Sequence, residues 1–229
     1  MYQHPITHPV KIAIVGRSKD TVNYENALRA MHADCLTTMD TGRLTEFDGL
    51  LLPGGGDITP AFFGQKNQGS KNIDIELDIT QFQALELFIQ WKRPVLGICK
   101  GMQVINVCFG GSITQHIKEA AYHAWDNGDK LHPTSVQSGS FLAGLYGTET
   151  LTNSAHHQAI HSPGQNLTVI QTADDGIIEG VTHNSLPIFG VQWHPERLFP
   201  DFLLHIPSHP APADGRLLFD YFLSLCTSA

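Results

Sequence analysis

The chain has 229 residues, of which 41% are hydrophobic and 16% charged, and carries a net charge of −8 at pH 7. That length and balance fit one sizeable globular domain over residues 1–229 and exclude a disordered chain. The acidic excess gives nucleic acid no electrostatic footing, and no apolar run nears the roughly 20 residues of a membrane helix, so neither partner is expected.

Residues 1–9 are polar and lack the charged-then-apolar layout of a signal peptide, which makes the cytoplasm the expected location. Cys35, Cys99, Cys108 and Cys226 show no CxxC spacing. Neither a disulfide framework nor a zinc site is indicated, and a reactive thiol is left open. Among 13 histidines, His156, His157 and His161 cluster. The spacing His157-x-x-x-His161 would put two rings on one helical face, but Pro163 and Gly164 cut any helix short and no carboxylate or cysteine lies within the cluster. No metal and no cofactor are expected.

In chain order, 10–15 reads as a first strand, 24–33 as a helix with Asn23 at its N-cap, and 35–39 as a weaker strand. Residues 48–52 form a strand that breaks into Gly54-Gly55-Gly56, where bare backbone N–H groups suit an oxyanion or carboxylate; an ordinary flexible turn looks the same. Asp78-Ile79-Thr80-Gln81 resembles a capping box opening a helix that runs to about Lys92, where Pro94 bars continuation.

The next stretch, Pro94-Val95-Leu96-Gly97-Ile98-Cys99-Lys100-Gly101-Met102-Gln103, is a buried strand feeding an apolar helix, with Cys99 at the corner. Gly97 and Gly101 make Gly-x-Cys-x-Gly, the cysteine counterpart of a nucleophile elbow. The adjacent helix N-terminus favours a thiolate there. A buried structural cysteine is the competing reading. Alternation of strand and helix predicts an α/β fold with a mainly parallel central sheet flanked by helices. Gly54–Gly56 and Cys99 then both fall at strand carboxyl ends, where such sheets bind ligands.

Past Gly111, short β-like runs at 112–117, 135–136, 148–152, 167–172, 177–181 and 187–193 predict additional antiparallel strands in the second half. A last amphipathic helix is predicted over 216–226. The strand 188–193 leads to His194-Pro195-Glu196. At a strand end, residues two apart share a side, so Glu196 can orient His194 toward Cys99. Gln103 lies one helical turn beyond Cys99 on the same face. Asn153-Ser154-Ala155-His156-His157-Gln158 is dense in donors and acceptors that suit a zwitterionic head group, although a solvated loop would look similar.

Taken together, the segments 50–60, 94–103, 153–158, 174–180 and 190–196 resemble, in order, those of the class I glutamine amidotransferase-like fold. Within it the resemblance is to the γ-glutamyl-γ-aminobutyrate hydrolase family. It implies a cysteine-dependent hydrolase in which Cys99 attacks a γ-glutamyl amide and forms a thioester. His194 then serves as acid and base, oriented by Glu196, and the N–H groups of Gly55 and Lys100 form the oxyanion hole. Gly56, Gln103, Ser154, His157 and Gln158 are implied to hold the glutamyl group. The family more often has Arg where Lys100 stands, and the segment between the first strand and Asp48 is shorter than is usual for it. A glutaminase subunit feeding ammonia to a separate synthase shares the same catalytic residues and is the alternative; a non-catalytic binding module is disfavoured by the intact Cys99, His194 and Glu196. The expected partner is a small γ-glutamyl substrate, its amine held by the loops 118–133 and 199–212 with His123, Trp125, His205 and His209. A homodimer is compatible with this reading.

Overall fold

The computed structural model describes residues 9–199 and 211–227. Residues 1–8, and with them most of the N-terminal stretch, lie outside the described residues, as do His205 and His209. Five strands open the architecture: β1 (Lys11–Val15), β2 (Asp34–Thr38), β3 (Gly49–Leu52), β4 (Val95–Ile98) and the short β5 (Ser112–Thr114). Then come β6 (Lys130–Val136), β7 (Glu149–Ser154), β8 (Ala159–Ser162), β9 (Leu167–Ala173), β10 (Ile178–His183) and β11 (Ile188–Val191). The helices are α1 (Val22–Ala30), α2 (Ile75–Trp91), α3 (Lys100–Cys108), α4 (Ala120–His123), α5 (Phe141–Tyr146) and α6 (Gly215–Cys226).

Nine strands form one sheet in the order β2-β1-β3-β4-β11-β10-β9-β6-β7, and β5 pairs with β8 in a small second sheet. The first five strands of the large sheet are mutually parallel. From β11 onward every pairing is antiparallel. This is the α/β fold expected from the alternation of strand and helix, with the antiparallel extension supplied by the second half. The last strand, β11, inserts beside β4 as a parallel strand. That insertion puts β3, β4 and β11 side by side with their carboxyl ends at one edge.

Successive residues of a strand face opposite sides, and the core splits accordingly. Ile12, Ile14, Leu51, Leu96 and Ile98 pack with Leu28 of α1 and with Leu218, Phe219 and Phe222 of α6. Ala13, Val15, Leu50, Leu52 and Val95 pack on the other side against Leu85 and Phe88 of α2 and Ile105 of α3. Among the described residues no helix is long and apolar enough to cross a membrane.

Two helix starts differ from the sequence expectation. Helix α1 begins at Val22 after Thr21, so Asn23 lies inside it and caps nothing. Helix α2 begins a turn earlier than expected, because the Asp74 side chain accepts from Leu77 N–H and serves as the N-cap. Asp78 is instead fully buried inside the helix, with its carboxylate engaged by Lys100 and Thr59. A tertiary partner outweighs the local cap. Two short helices, α4 and α5, and the strand β8 arise where the sequence showed only loop.

Candidate active site

Cys99 joins β4 to α3 with φ 52° and ψ −108°, a left-handed-side conformation that a non-glycine residue adopts at a cost of order 1–3 kcal/mol. The surroundings enforce it. A Cβ on Gly101 would stand 2.0 Å from the Leu52 carbonyl oxygen, and one on Gly97 would stand 2.6 Å from the Gly101 backbone. Helix α3 therefore passes behind the cysteine at a distance that only glycines allow. The Cys99 N–H is anchored to Val191 O of the neighbouring β11 at 2.8 Å.

The end of β11 brings His194 to the same edge. The sequence expectation had His194 and Glu196 on an extended strand end, but β11 stops at Val191 and Pro195–Arg197 forms a 3₁₀ turn. That turn folds Glu196 back so that its Oε1 sits 2.7 Å from His194 Nδ1. With Nδ1 engaged, the second ring nitrogen is the one left for the Cys99 side chain, whose charge acts on His194. Burial acts to lower the His194 pKa, but the charges of Glu196 and Cys99 and the hydrogen bond to Glu196 outweigh it and lift it to about 10. Asn153 pins this histidine's backbone, accepting from His194 N–H at 2.9 Å and donating to its carbonyl at 3.1 Å.

The glycine run follows β3 on the other side of Cys99. Gly54 N–H donates to the Tyr24 hydroxyl at 2.9 Å and is not free, as the sequence had suggested, to meet an anion. A Cβ on Gly54 would meet Tyr24 Oη, His194 Cε1 and Cys99 Cβ at 2.8, 3.0 and 3.3 Å, which places all three within one small space. Gly55 and Gly56 N–H have no hydrogen-bond partner among the described residues. Lys100 occupies the first position of α3, where backbone N–H groups have no partner within the helix. Its side chain runs inward, and Nζ lies 2.6 Å from Asp78 Oδ1 with both residues sealed from solvent.

Two cavities meet at Cys99. The smaller, of about 240 Å³, is bordered by Gly55, Gly56, Asp57, Gln103, His157 and Gln158. Gln103 donates to Gln192 Oε1 at 3.0 Å and to the Gln158 carbonyl at 3.4 Å, and so is held in place at its wall. His157 Nε2 pairs with Asp57 Oδ2 at 3.0 Å. The larger cavity, of about 610 Å³, opens past Tyr24, His194 and Glu196 to Arg17, Asn23 and Asp74. Its far wall is therefore not the segment 118–133: Trp125 is exposed and His123 is buried elsewhere. Most of 199–212 lies outside the described residues.

The motif 153–158 is divided between tasks. Asn153 holds His194, Ala155 borders both cavities, and His157 and Gln158 border the small one. Ser154 does not reach the cavities; its hydroxyl lies 2.9 Å from His123 Nδ1. His157 and His161 share no helical face, because residues 159–162 form strand β8. Sequence reasoning missed Asp57, Arg17 and Tyr24, and it placed Asn153 with the head-group motif, whereas Asn153 holds the His194 backbone. Asp57 sat next to the glycine run and was legible as a polar neighbour, whereas Tyr24 reaches the site only through the packing of α1 on the sheet and Arg17 through its place at the end of β1, held by Asp74 and Glu76.

The profile of the peptidase C26 family matches residues 36–196. The chain belongs to that family. A Schizosaccharomyces pombe protein, PB2B2.05, whose name assigns it provisionally to the glutamine amidotransferases, is 33% identical over 185 residues, covering 77% of this chain and 69% of that protein. The γ-glutamyl-γ-aminobutyrate hydrolase of Escherichia coli O157:H7 is 26% identical over 197 residues, covering 80% and 73%. A solved Thermoplasma acidophilum structure, described provisionally as a GMP synthase component, shares the fold with a TM-score of 0.71 at 23% identity, covering 97% of this chain and 96% of that one. As a C26 family member with a class I glutamine amidotransferase-like fold, the chain is a hydrolase of amide C–N bonds.

Proposed function

We propose that this C26 enzyme cleaves the γ-glutamyl amide bond of a small γ-glutamyl amine, through a thioester on Cys99. The observation that carries this reading is the meeting of two unlike cavities at one strained cysteine that stands beside a hydrogen-bonded histidine–glutamate pair. The small cavity suits a glutamyl head group. Asp57 offers a carboxylate to its α-ammonium, and the chain around His157 and Gln158 offers polar groups to its α-carboxylate. The larger cavity receives the amine.

In this mechanism the Cys99 sulfur attacks the γ-carbonyl while the N–H groups of Gly55 and Lys100 take the developing negative charge. His194, positively charged beside Glu196, gives its proton to the departing amine nitrogen as the C–N bond breaks. Water then enters. His194 takes a proton from it, the hydroxyl adds to the thioester carbonyl, and the C–S bond breaks to release glutamate and restore the thiol.

The reading as a glutaminase subunit fits the cavities less well. Ammonia is the smallest of amines, and a charged chamber of about 610 Å³ on the leaving-group side exceeds what it needs. The likeness to the E. coli γ-glutamyl-γ-aminobutyrate hydrolase supports the same choice. The test is a panel of γ-glutamyl-γ-aminobutyrate, γ-glutamyl-polyamines, folyl-poly-γ-glutamate and glutamine, with Cys99→Ala as control. Turnover of at least one γ-glutamyl amine, abolished in Cys99→Ala and accompanied by a glutamyl adduct on Cys99 in the mass spectrum, is expected. Turnover that survives in Cys99→Ala, or ammonia release from glutamine alone that rises with an added synthase, would sink the proposal.

A further inference from the structure

Away from Cys99, four side chains converge in a pocket that the amide chemistry does not use. Glu179 of β10 is fully buried, and neither of its carboxylate oxygens has a hydrogen-bond partner. Around its Oε1 stand His123 Nδ1 at 3.6 Å, His156 Nε2 at 3.6 Å and His132 Nε2 at 3.7 Å. These separations are too long for hydrogen bonds.

The outer nitrogens of the three rings fix their tautomers. His156 Nδ1 meets the Gln158 carbonyl at 2.9 Å and His132 Nδ1 meets the Pro133 carbonyl at 3.3 Å. A carbonyl only accepts, so both Nδ1 atoms carry the proton and both Nε2 atoms face inward bare. His123 Nε2 donates to the Asp175 carboxylate at 2.8 Å, so Nδ1 is its unprotonated nitrogen; it accepts the Ser154 hydroxyl at 2.9 Å and would exchange that donor for a bound ion. The bare Nε2 atoms of His132 and His156 and the unprotonated Nδ1 of His123 thus surround a carboxylate oxygen that has no hydrogen-bond partner. Acceptors facing an acceptor in a dry pocket are unfavourable; a proton on the carboxyl would satisfy one ring nitrogen, whereas a metal ion would engage all of them.

We propose that His123, His156 and Glu179, with His132 as the fourth donor, form a binding site for a borderline divalent metal ion, with zinc as the best fit. The three atoms of His123, His156 and Glu179 lie within 4.8 Å of one another. A tetrahedral ion with bonds of about 2.0–2.1 Å sets its donors about 3.3–3.4 Å apart, close to the 3.6–3.7 Å separations from Glu179 Oε1, while His132, which lies outside the 4.8 Å trio, would draw in toward the other rings. Three imidazoles and one carboxylate suit zinc or a neighbouring first-row ion rather than calcium or magnesium. The Asp175, Pro133 and Gln158 contacts are the outer hydrogen bonds that orient metal-bound histidines. A surface cavity of about 250 Å³, bordered by His123, His132, Asp174 and Asp175, gives the ion a route in. With all four positions filled by protein, the ion is structural. It ties α4, β6, β10 and the 155–158 turn together, and so braces Ala155, His157 and Gln158 at the small cavity.

The test uses the full chain with Cys99→Ala, so that the active-site thiol cannot hold the ion, stripped by a chelator and titrated with Zn²⁺ by calorimetry and with Co²⁺ by visible absorption. One ion per chain is expected, with the intense Co²⁺ bands of a tetrahedral site and a higher Tm in the zinc form. Glu179→Gln, nearly isosteric, is expected to weaken binding by at least about 100-fold, and Asp175→Asn by about 10- to 100-fold. Asp175→Asn keeps the question answerable if the buried variant does not fold. His161→Gln, on the exposed end of β8, should bind as the parent does. Absence of stoichiometric Zn²⁺ binding, weak Co²⁺ bands of octahedral type, or full affinity in the folded Glu179→Gln or Asp175→Asn protein would overturn the site. None of these readouts depends on amide turnover, so failure here is separable from failure of the proposed reaction.

Discussion

Replacing Asp78 by asparagine removes one charge from a pair sealed beneath the reaction centre. Asp78 is fully buried and Lys100 is only 2% exposed, with Nζ and Oδ1 2.6 Å apart. The other carboxylate oxygen accepts from Thr59 N–H at 2.8 Å and from its hydroxyl at 2.6 Å. The residue therefore ties together the two chain segments that follow β3 and β4, each of which offers an N–H group beside Cys99. In Asp78→Asn the Lys100 ammonium stays in the interior without an anion, and one amide face presents N–H to it. Breaking a buried pair from one side costs about 3–5 kcal/mol, against a total stability of about 5–15 kcal/mol. For a chain of this size that corresponds to a fall in Tm of about 6–20 °C. Lys100→Met alone should cost a similar amount, because it strands the carboxylate. The double variant Asp78→Asn, Lys100→Met should lose less than the sum of the two, with a coupling of at least about 1 kcal/mol. Urea unfolding of all four proteins at constant slope measures this. A single-variant cost below about 1 kcal/mol, or strict additivity, would refute the claim that the pair is a buried unit.

Three further outcomes follow from the geometry. Gly101→Ala drives a Cβ into the Leu52 carbonyl and should cost about 1–3 kcal/mol or more, whereas Gly144→Ala, in helix α5 with open space around it, should gain about 0.5–1 kcal/mol; thermal melts that rank the two otherwise contradict the packing argument. The His194 pKa stands at about 10 against 6.5 for the free side chain, so its contribution to stability is complete below pH 6.5 and is lost as pH rises toward 10. Glu196→Gln should flatten that decline and bring the alkaline limb of kcat/KM to lower pH; an unmoved limb means that Glu196 does not hold the imidazolium. Arg17, hydrogen-bonded to Asp74 and Glu76 at the mouth of the larger cavity, should matter for the amine and not for the glutamyl group. Arg17→Ala is expected to change KM for extended amines by several-fold and to leave glutamine hydrolysis unaltered, as steady-state kinetics on paired substrates will show.

Much of the site's plan was legible in the linear chain because it rests on local chemistry. The Gly-x-Cys-x-Gly spacing announced a tight corner, and Gly97 and Gly101 prove to be required by backbone contacts of 2.6 and 2.0 Å. His194 and Glu196 were legible as partners from their separation of two, although a 3₁₀ turn rather than a strand end produces the contact. The role of Asp78 was not legible. Its position in Asp-Ile-Thr-Gln looks like a cap, and only the arrival of Lys100 and Thr59 from distant segments shows otherwise. Ser154 and His156 were equally opaque, since nothing in 153–158 says which side chains face the cavity and which turn to Glu179.

By itself, the sequence determined the succession of the main strands and helices, though not α4, α5 or β8, and the corner at Cys99 and the glycine run that follows β3, since each depends on residues within a few positions of one another. The tertiary structure alone decided the rest. Inserting β11 beside β4 set His194 opposite a cysteine 95 positions earlier in the chain. The strand order β10-β9-β6-β7 gathered His123, His132 and His156 around the Glu179 carboxylate, which no spacing rule connects. Contacts of that range are selected by the burial of two sheet faces, and the identities of the residues brought together follow from strand order, which no short window of sequence records.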